Sequence, residues 1–93
     1  MEQSEICRKR IVFYGWVQGV GFRYRAYHAA QAVGATGWVR NNFDDTVTME
    51  IQGTEPQIDA VLLAIRRGTY IRIENMECRT LPPVSDEHSF RIR

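Results

Sequence analysis

The 93 residues predict an α+β domain in which one sheet carries two helices on the same face. Three observations lead there. The apolar period switches between strand-like and helix-like in the order β-α-β-β-α-β, with a short added strand at the end. Glycines, prolines and turn-forming polar residues punctuate each switch. A chain of this length buries enough surface for one sheet and one helical layer, but not for two cores.

Residues 1–7 read as a loose arm and 8–93 as a single domain. The first strand covers 8–17, where Ile11-Val12-Phe13-Tyr14 is rich in β-branched and aromatic residues. The stretch GWVQGVGFR, Gly15–Arg23, stops it. Phe22, Ala26, Ala29, Ala30 and Val33 then recur at helical spacing, and Gly34 is the expected cap. Gly37–Arg40 is the second strand, followed by the turn Asn42-Phe43-Asp44-Asp45. Over 46–52, Val47, Met49 and Ile51 alternate with polar residues, as in a strand with one buried face. Thr54 opens the second helix, with a proline in its first turn and Gln57 completing a capping box. Ile58, Val61, Leu62 and Ile65 form its stripe, and Gly68 is the expected end cap. Ile71, Ile73, Met76 and Leu81 lie in an extended pattern over 70–81, broken by Pro82-Pro83. Ser89–Arg93 reads as a short fifth strand. The common solution for this order is a ferredoxin-like βαββαβ sandwich: an antiparallel four-stranded sheet, both helices on one face. Its first and fourth strands are neighbours, which places Cys7 and Cys78 near the same end. A bridge between them is geometrically conceivable, but two reduced thiols are expected.

Composition excludes several functions. Lys plus Arg is 12 against 11 for Asp plus Glu, a net charge of +1, so the broad positive field of a non-specific nucleic-acid binder is missing. The strand TVTMEIQ carries no aromatic residue of the kind RNA-recognition modules of this fold expose. Neither a C-x-x-C nor any zinc spacing is present, which argues against a metal carrier. No apolar stretch approaches the length of a membrane span, and the polar opening MEQSEICRKR has no signal-peptide core. A cytoplasmic monomer is therefore expected.

The glycine-rich stretch holds the chemistry. A loop leaving a strand and entering a helix points several N–H groups one way, and the helix N-terminus adds about half a positive charge. Arg23 falls in the first helical turn, where the dipole disfavours a cation. The residues alone leave two readings open: an anion site built on Arg23, or a plain turn. The loop has neither a P-loop ending nor the spacing of a dinucleotide fingerprint.

GWVQGVGFR resembles the acylphosphatase signature Gly-x-Val-Gln-Gly-Val-x-Phe-Arg, and GWVRN, Gly37–Asn41, resembles a second signature, with Val47 and Gly53 at matching offsets. The similarity covers nearly the whole chain. It implies a small hydrolase that cleaves acyl phosphates to a carboxylate and inorganic phosphate, with no metal, no cofactor and no covalent intermediate. It further implies that the N–H groups of Trp16, Val17, Gln18, Gly19 and Val20 cradle the phosphate, with Gln18 and Gly19 shaping that cradle. Arg23 would clamp its oxygens and Asn41 would orient the attacking water. Asn41 is too weak a base to take the proton, so a phosphate oxygen of the substrate is expected to accept it. The same domain type also opens a larger hydrogenase-maturation protein, which leaves a non-catalytic carbamoyl-phosphate or other anion-binding module as the alternative. The ending at Arg93 favours the free-standing enzyme.

One departure concerns the turn after Asn41, where Asp45 stands in place of the usual glycine. A positive φ is expected there, at moderate cost for Asp. Trp16 has two readings, a cover for the sheet edge or a wall for the acyl group. His28 and His88 read as solvated, Arg66-Arg67 as dipole partners of a helix end, Asp44-Asp45 as turn chemistry and Glu50 as outward-facing. Arg25 and Arg40 read equally as charges beside an anionic substrate or as surface residues.

Overall fold

A computed structural model describes residues 5–93. Its elements are β1 (Cys7–Trp16), α1 (Phe22–Val33), β2 (Thr36–Asn41), β3 (Val47–Gly53), α2 (Glu55–Arg66), β4 (Arg72–Leu81) and β5 (Phe90–Ile92). Four of the residues expected to form the arm, 1–4, lie outside the described ones, and Cys7 already belongs to β1. The strands lie in the order β4-β1-β3-β2-β5.

The first four pair antiparallel, as expected, but β5 runs parallel to β2, so the sheet is mixed. The cause is the route of residues 82–89. Leaving β4 beside Arg8, they cross to the opposite edge and reach β2 at the end where it starts. The crossing is bonded to the sheet on the way. Gln52 exchanges two 2.8 Å hydrogen bonds with the main chain of Val84, and Arg8 reaches Glu87.

Both helices form where the apolar spacing put them. Phe22, Ala26 and Ala30 of α1 are buried, and the two alanines let the helix approach the sheet closely. Gly34, at φ 81°, closes α1 with its N–H directed to the carbonyls of Ala30 and Gln31. In α2 the capping box is present: Thr54 N donates to Gln57 Oε1 at 2.8 Å and Gln57 N to Thr54 Oγ1 at 3.3 Å. Gly68 does not act as the expected left-handed cap. Arg67 closes α2 in the right-handed region, at φ −82°. Packing accounts for Gly68, because a Cβ there would meet Ile71 Cδ1 at 2.6 Å and Arg25 Nε at 3.0 Å.

The core lies between sheet and helices. Ile11 and Phe13 of β1, Val39 of β2 and Val47, Met49 and Ile51 of β3 are all fully buried. On the opposite sheet face Arg8 is only 3% exposed, with Nε 3.0 Å from Glu50 Oε1 and Nη1 2.7 Å from Glu87 Oε1. Trp38 is buried on that face beneath the guanidinium groups of Arg93, Arg40 and Arg10, at 4.5, 5.2 and 5.8 Å. Both cysteines are free. Cys78 stands opposite Ile11, four residues along the ladder from Cys7, which separates them by about 13 Å. Burial raises the pKa of Cys7, which disfavours the thiolate further. Among the described residues no helix is long and apolar enough to cross a membrane.

Candidate active site

Two apolar anchors shape the loop after β1. Val17 is buried at its start, and Phe22 is buried at its end, edge-on to Phe13 with ring centroids 4.8 Å apart. The residues between them arch over the end of the sheet. Gly15 makes the exit possible: at φ 126°, beside a bulge in the β1–β4 ladder, a Cβ would run into the Arg72 carbonyl. Gly21, at φ 81°, is the N-cap of α1 and offers no side-chain bond to the first turn. Among the described residues, the main-chain N–H groups of Val17, Gln18, Gly19 and Val20 donate no hydrogen bond. Trp16, the last residue of β1, pairs with Arg72 in the ladder.

Arg23 is half-buried in the first turn of α1, which carries no acidic residue. Its Nη1 donates to the Arg93 main-chain oxygen at 3.3 Å, and Arg93 N donates to Val39 O at 2.8 Å. The guanidinium is thereby held beside the last residues of β2. Asn41 is the final residue of that strand, opposite Val47 and on the same sheet face as Val39, which looks towards the helices. The loop, Arg23 and Asn41 therefore share one end of the sheet.

A direct bond joins the two halves. The Gln18 side chain turns away from the loop N–H groups, and its Nε2 donates to the carbonyls of Asn42 and of Thr46, the latter at 2.9 Å. The turn it grips is internally bonded. Asn42 Nδ2 donates to Thr46 Oγ1 at 2.9 Å and Thr48 Oγ1 at 2.7 Å, and Thr46 Oγ1 donates to Asp44 Oδ1 at 2.6 Å. That last bond, helped by the Thr46 N–H, holds the Asp44 carboxyl below its usual range. The bracing role of Gln18 was not legible in the sequence, because its acceptors lie 24 and 28 residues away.

Asp45 adopts φ 74°, the only positive φ at a non-glycine among the described residues. A left-handed conformation costs about 1–2 kcal/mol for an ordinary side chain and less for Asp. Asp45→Gly is expected to raise stability by about 0.5–1 kcal/mol, read from the urea midpoint, with kcat within twofold of wild type. A lower midpoint would mean that the aspartate side chain contributes more than its backbone strain costs.

His28 is exposed and stacked with Tyr24, ring centroids 6.1 Å apart. Arg25 Nη1 is committed to the Ala64 carbonyl at 3.0 Å, and Arg40 Nε to Asn42 Oδ1 at 3.2 Å. Trp16 is 69% exposed.

Fold and loop together define a small ferredoxin-like domain in which a run of unbonded main-chain N–H groups leads into a helix N-terminus. The family model for acylphosphatase matches residues 9–92. An acylphosphatase of Geobacillus kaustophilus is 43% identical over 86 residues, 91% of this chain and 92% of that one. The crystal structure of the Bacillus subtilis acylphosphatase superposes with a TM-score of 0.85 at 28% identity, over 94% of this chain and 98% of that chain. Full-length HypF in its phosphate- and nucleotide-bound form also superposes with a TM-score of 0.85, at 29% identity, over 99% of this chain but 12% of HypF. The chain belongs to the acylphosphatase family, hydrolases whose substrates are small-molecule acyl phosphates.

Proposed function

We propose that the N–H groups of Val17 to Val20 hold the substrate phosphate, with Trp16 at the lip of this cradle. Arg23 neutralises the phosphate oxygens and Asn41 aims the attacking water. The observation that carries this reading is the run of four loop N–H groups without an acceptor, next to a helix N-terminus and an arginine. Phosphoryl transfer depends mainly on positioning and on charge stabilisation. The cradle and Arg23 supply the charge, so the reaction needs no metal, and Asn41 supplies the position. An acyl phosphate has a good leaving group, and a substrate oxygen takes the proton from water. The enzyme acts as a cytoplasmic monomer, without nucleic-acid or membrane partners, a reading supported by its near-neutral charge.

The test is the hydrolysis of acetyl phosphate by wild type and Asn41→Ala. Misplacing the water is expected to lower kcat by about 10²-fold, while the inhibition constant of inorganic phosphate stays within twofold. Unchanged kcat in Asn41→Ala would remove the residue from the mechanism. Binding of phosphate without turnover in wild type would favour an anion-binding module instead.

A further inference from the structure

In-line displacement sets the attacking and leaving oxygens on opposite sides of the phosphorus. Strand order converts that requirement into a location. Asn41 ends β2, two places from β1 on the β3 side. On the other side of β1 stands β4, led in by the turn at 67–71. With water at Asn41, the departing carboxylate points towards that turn.

A groove of about 710 Å³ opens there. It begins at Val20 and Gly21 of the loop itself, passes Ala29 and Ala64 beside Arg25 and His28, and is bordered by Tyr24 and Tyr70. Tyr70 also borders a second cleft, of about 330 Å³, whose other wall includes Trp16. Tyr24, Tyr70 and Trp16 are 67, 75 and 69% exposed, three aromatic rings left in water around one side of the loop. Clustered exposed aromatics are the surface that a ligand covers.

We infer that this groove receives the acyl moiety, and that Tyr24 and Tyr70 make the enzyme prefer acyl phosphates with aromatic or extended apolar acyl groups over acetyl phosphate. The inference rests on the reading that Asn41 positions the water. Continuity with the loop supports it, since Val20 and Gly21 border both the cradle and the groove.

Steady-state kinetics on acetyl phosphate and benzoyl phosphate test it, with wild type, Tyr24→Ala, Tyr70→Ala and Phe43→Ala. All three side chains are exposed, so the fold is not at stake, and circular dichroism checks that. Phe43 is the fully exposed aromatic on the Asn41 side. Each tyrosine variant is expected to raise KM for benzoyl phosphate by about three- to tenfold while KM for acetyl phosphate stays within twofold. Phe43→Ala is expected to change neither. Equal effects on both substrates, no effect in either tyrosine variant, or a benzoyl-selective loss in Phe43→Ala would overturn the inference. Those results with Asn41→Ala still inactive sink the groove alone. Full activity in Asn41→Ala sinks the reading beneath it.

Discussion

Arg23→Ala is expected to lower kcat/KM for acetyl phosphate by about 10²- to 10³-fold, the usual loss when one preorganised charge is removed from a transition state. The same substitution leaves the fold intact. Among the described residues Arg23 makes one side-chain hydrogen bond, to the Arg93 main-chain oxygen, and its charge sits at the positive end of α1. Removing a cation there relieves about 0.3–1 kcal/mol of unfavourable dipole interaction, so the urea midpoint should stay or rise while activity collapses. That opposition separates a catalytic group from a structural one. Arg23→Lys is expected to recover only part of the rate, because a point charge cannot span two phosphate oxygens as a guanidinium fork does. Near-normal activity in Arg23→Ala would end the proposed mechanism.

The largest stability effect is expected at Arg8. Arg8→Met should cost about 3 kcal/mol in urea unfolding, the scale of breaking a buried ion pair by removing one partner. Glu50 keeps Arg10, whose Nη1 lies 2.6 Å from Glu50 Oε2, but Glu87 loses the cation that holds it. Burial pushes the Glu87 carboxyl up, yet hydrogen bonds from Arg8 and Thr36 and the Arg8 charge together hold it below its ordinary value of 4.5. A carboxyl depressed on folding adds stability above its unfolded pKa and loses it as the pH falls through the folded one. The acid limb of stability should therefore begin below about pH 4.5 and flatten in Glu87→Gln. A change smaller than about 1 kcal/mol in Arg8→Met, the worth of an exposed pair, would contradict the burial of this cluster. Activity in Arg8→Met should fall before global unfolding, because the crossing segment that Glu87 anchors leads into β5 and so to the Arg23 contact.

The sequence made the helices legible because their stripes, the capping box and Gly34 are local signals. Gly68 looked like a second cap because position after a helix is all that a sequence displays, whereas the space beside it is taken by the side chains of Ile71 and of Arg25, the latter 43 residues away in sequence. The direction of β5 was hidden because three residues, Phe90–Ile92, carry no mark of which way their neighbour runs. The alternation over 46–52 points Glu50 away from the helices, but residues 82–89 cover part of that face and turn an apparent surface charge into a partner of Arg8. In the candidate site, Arg23 was visible as a misfit with the helix dipole and Asp45 as a residue where glycine serves better. The brace from Gln18 was not, since an amide between valines and glycines gives no hint of two carbonyls on a distant turn.

A cradle formed by the four loop N–H groups, as proposed, would also tie heat resistance to the reaction's own product. A ligand that binds only the folded chain adds RT ln(1 + [L]/Kd), about 2.7 kcal/mol at a hundredfold excess over Kd. In a domain of this size that lifts the melting midpoint by about 10 °C or more. Inorganic phosphate would thus protect the protein and compete with its substrate through the same contacts, so protection and inhibition should follow a single saturation curve. In Arg23→Ala both should weaken together, since one occupancy sets the two.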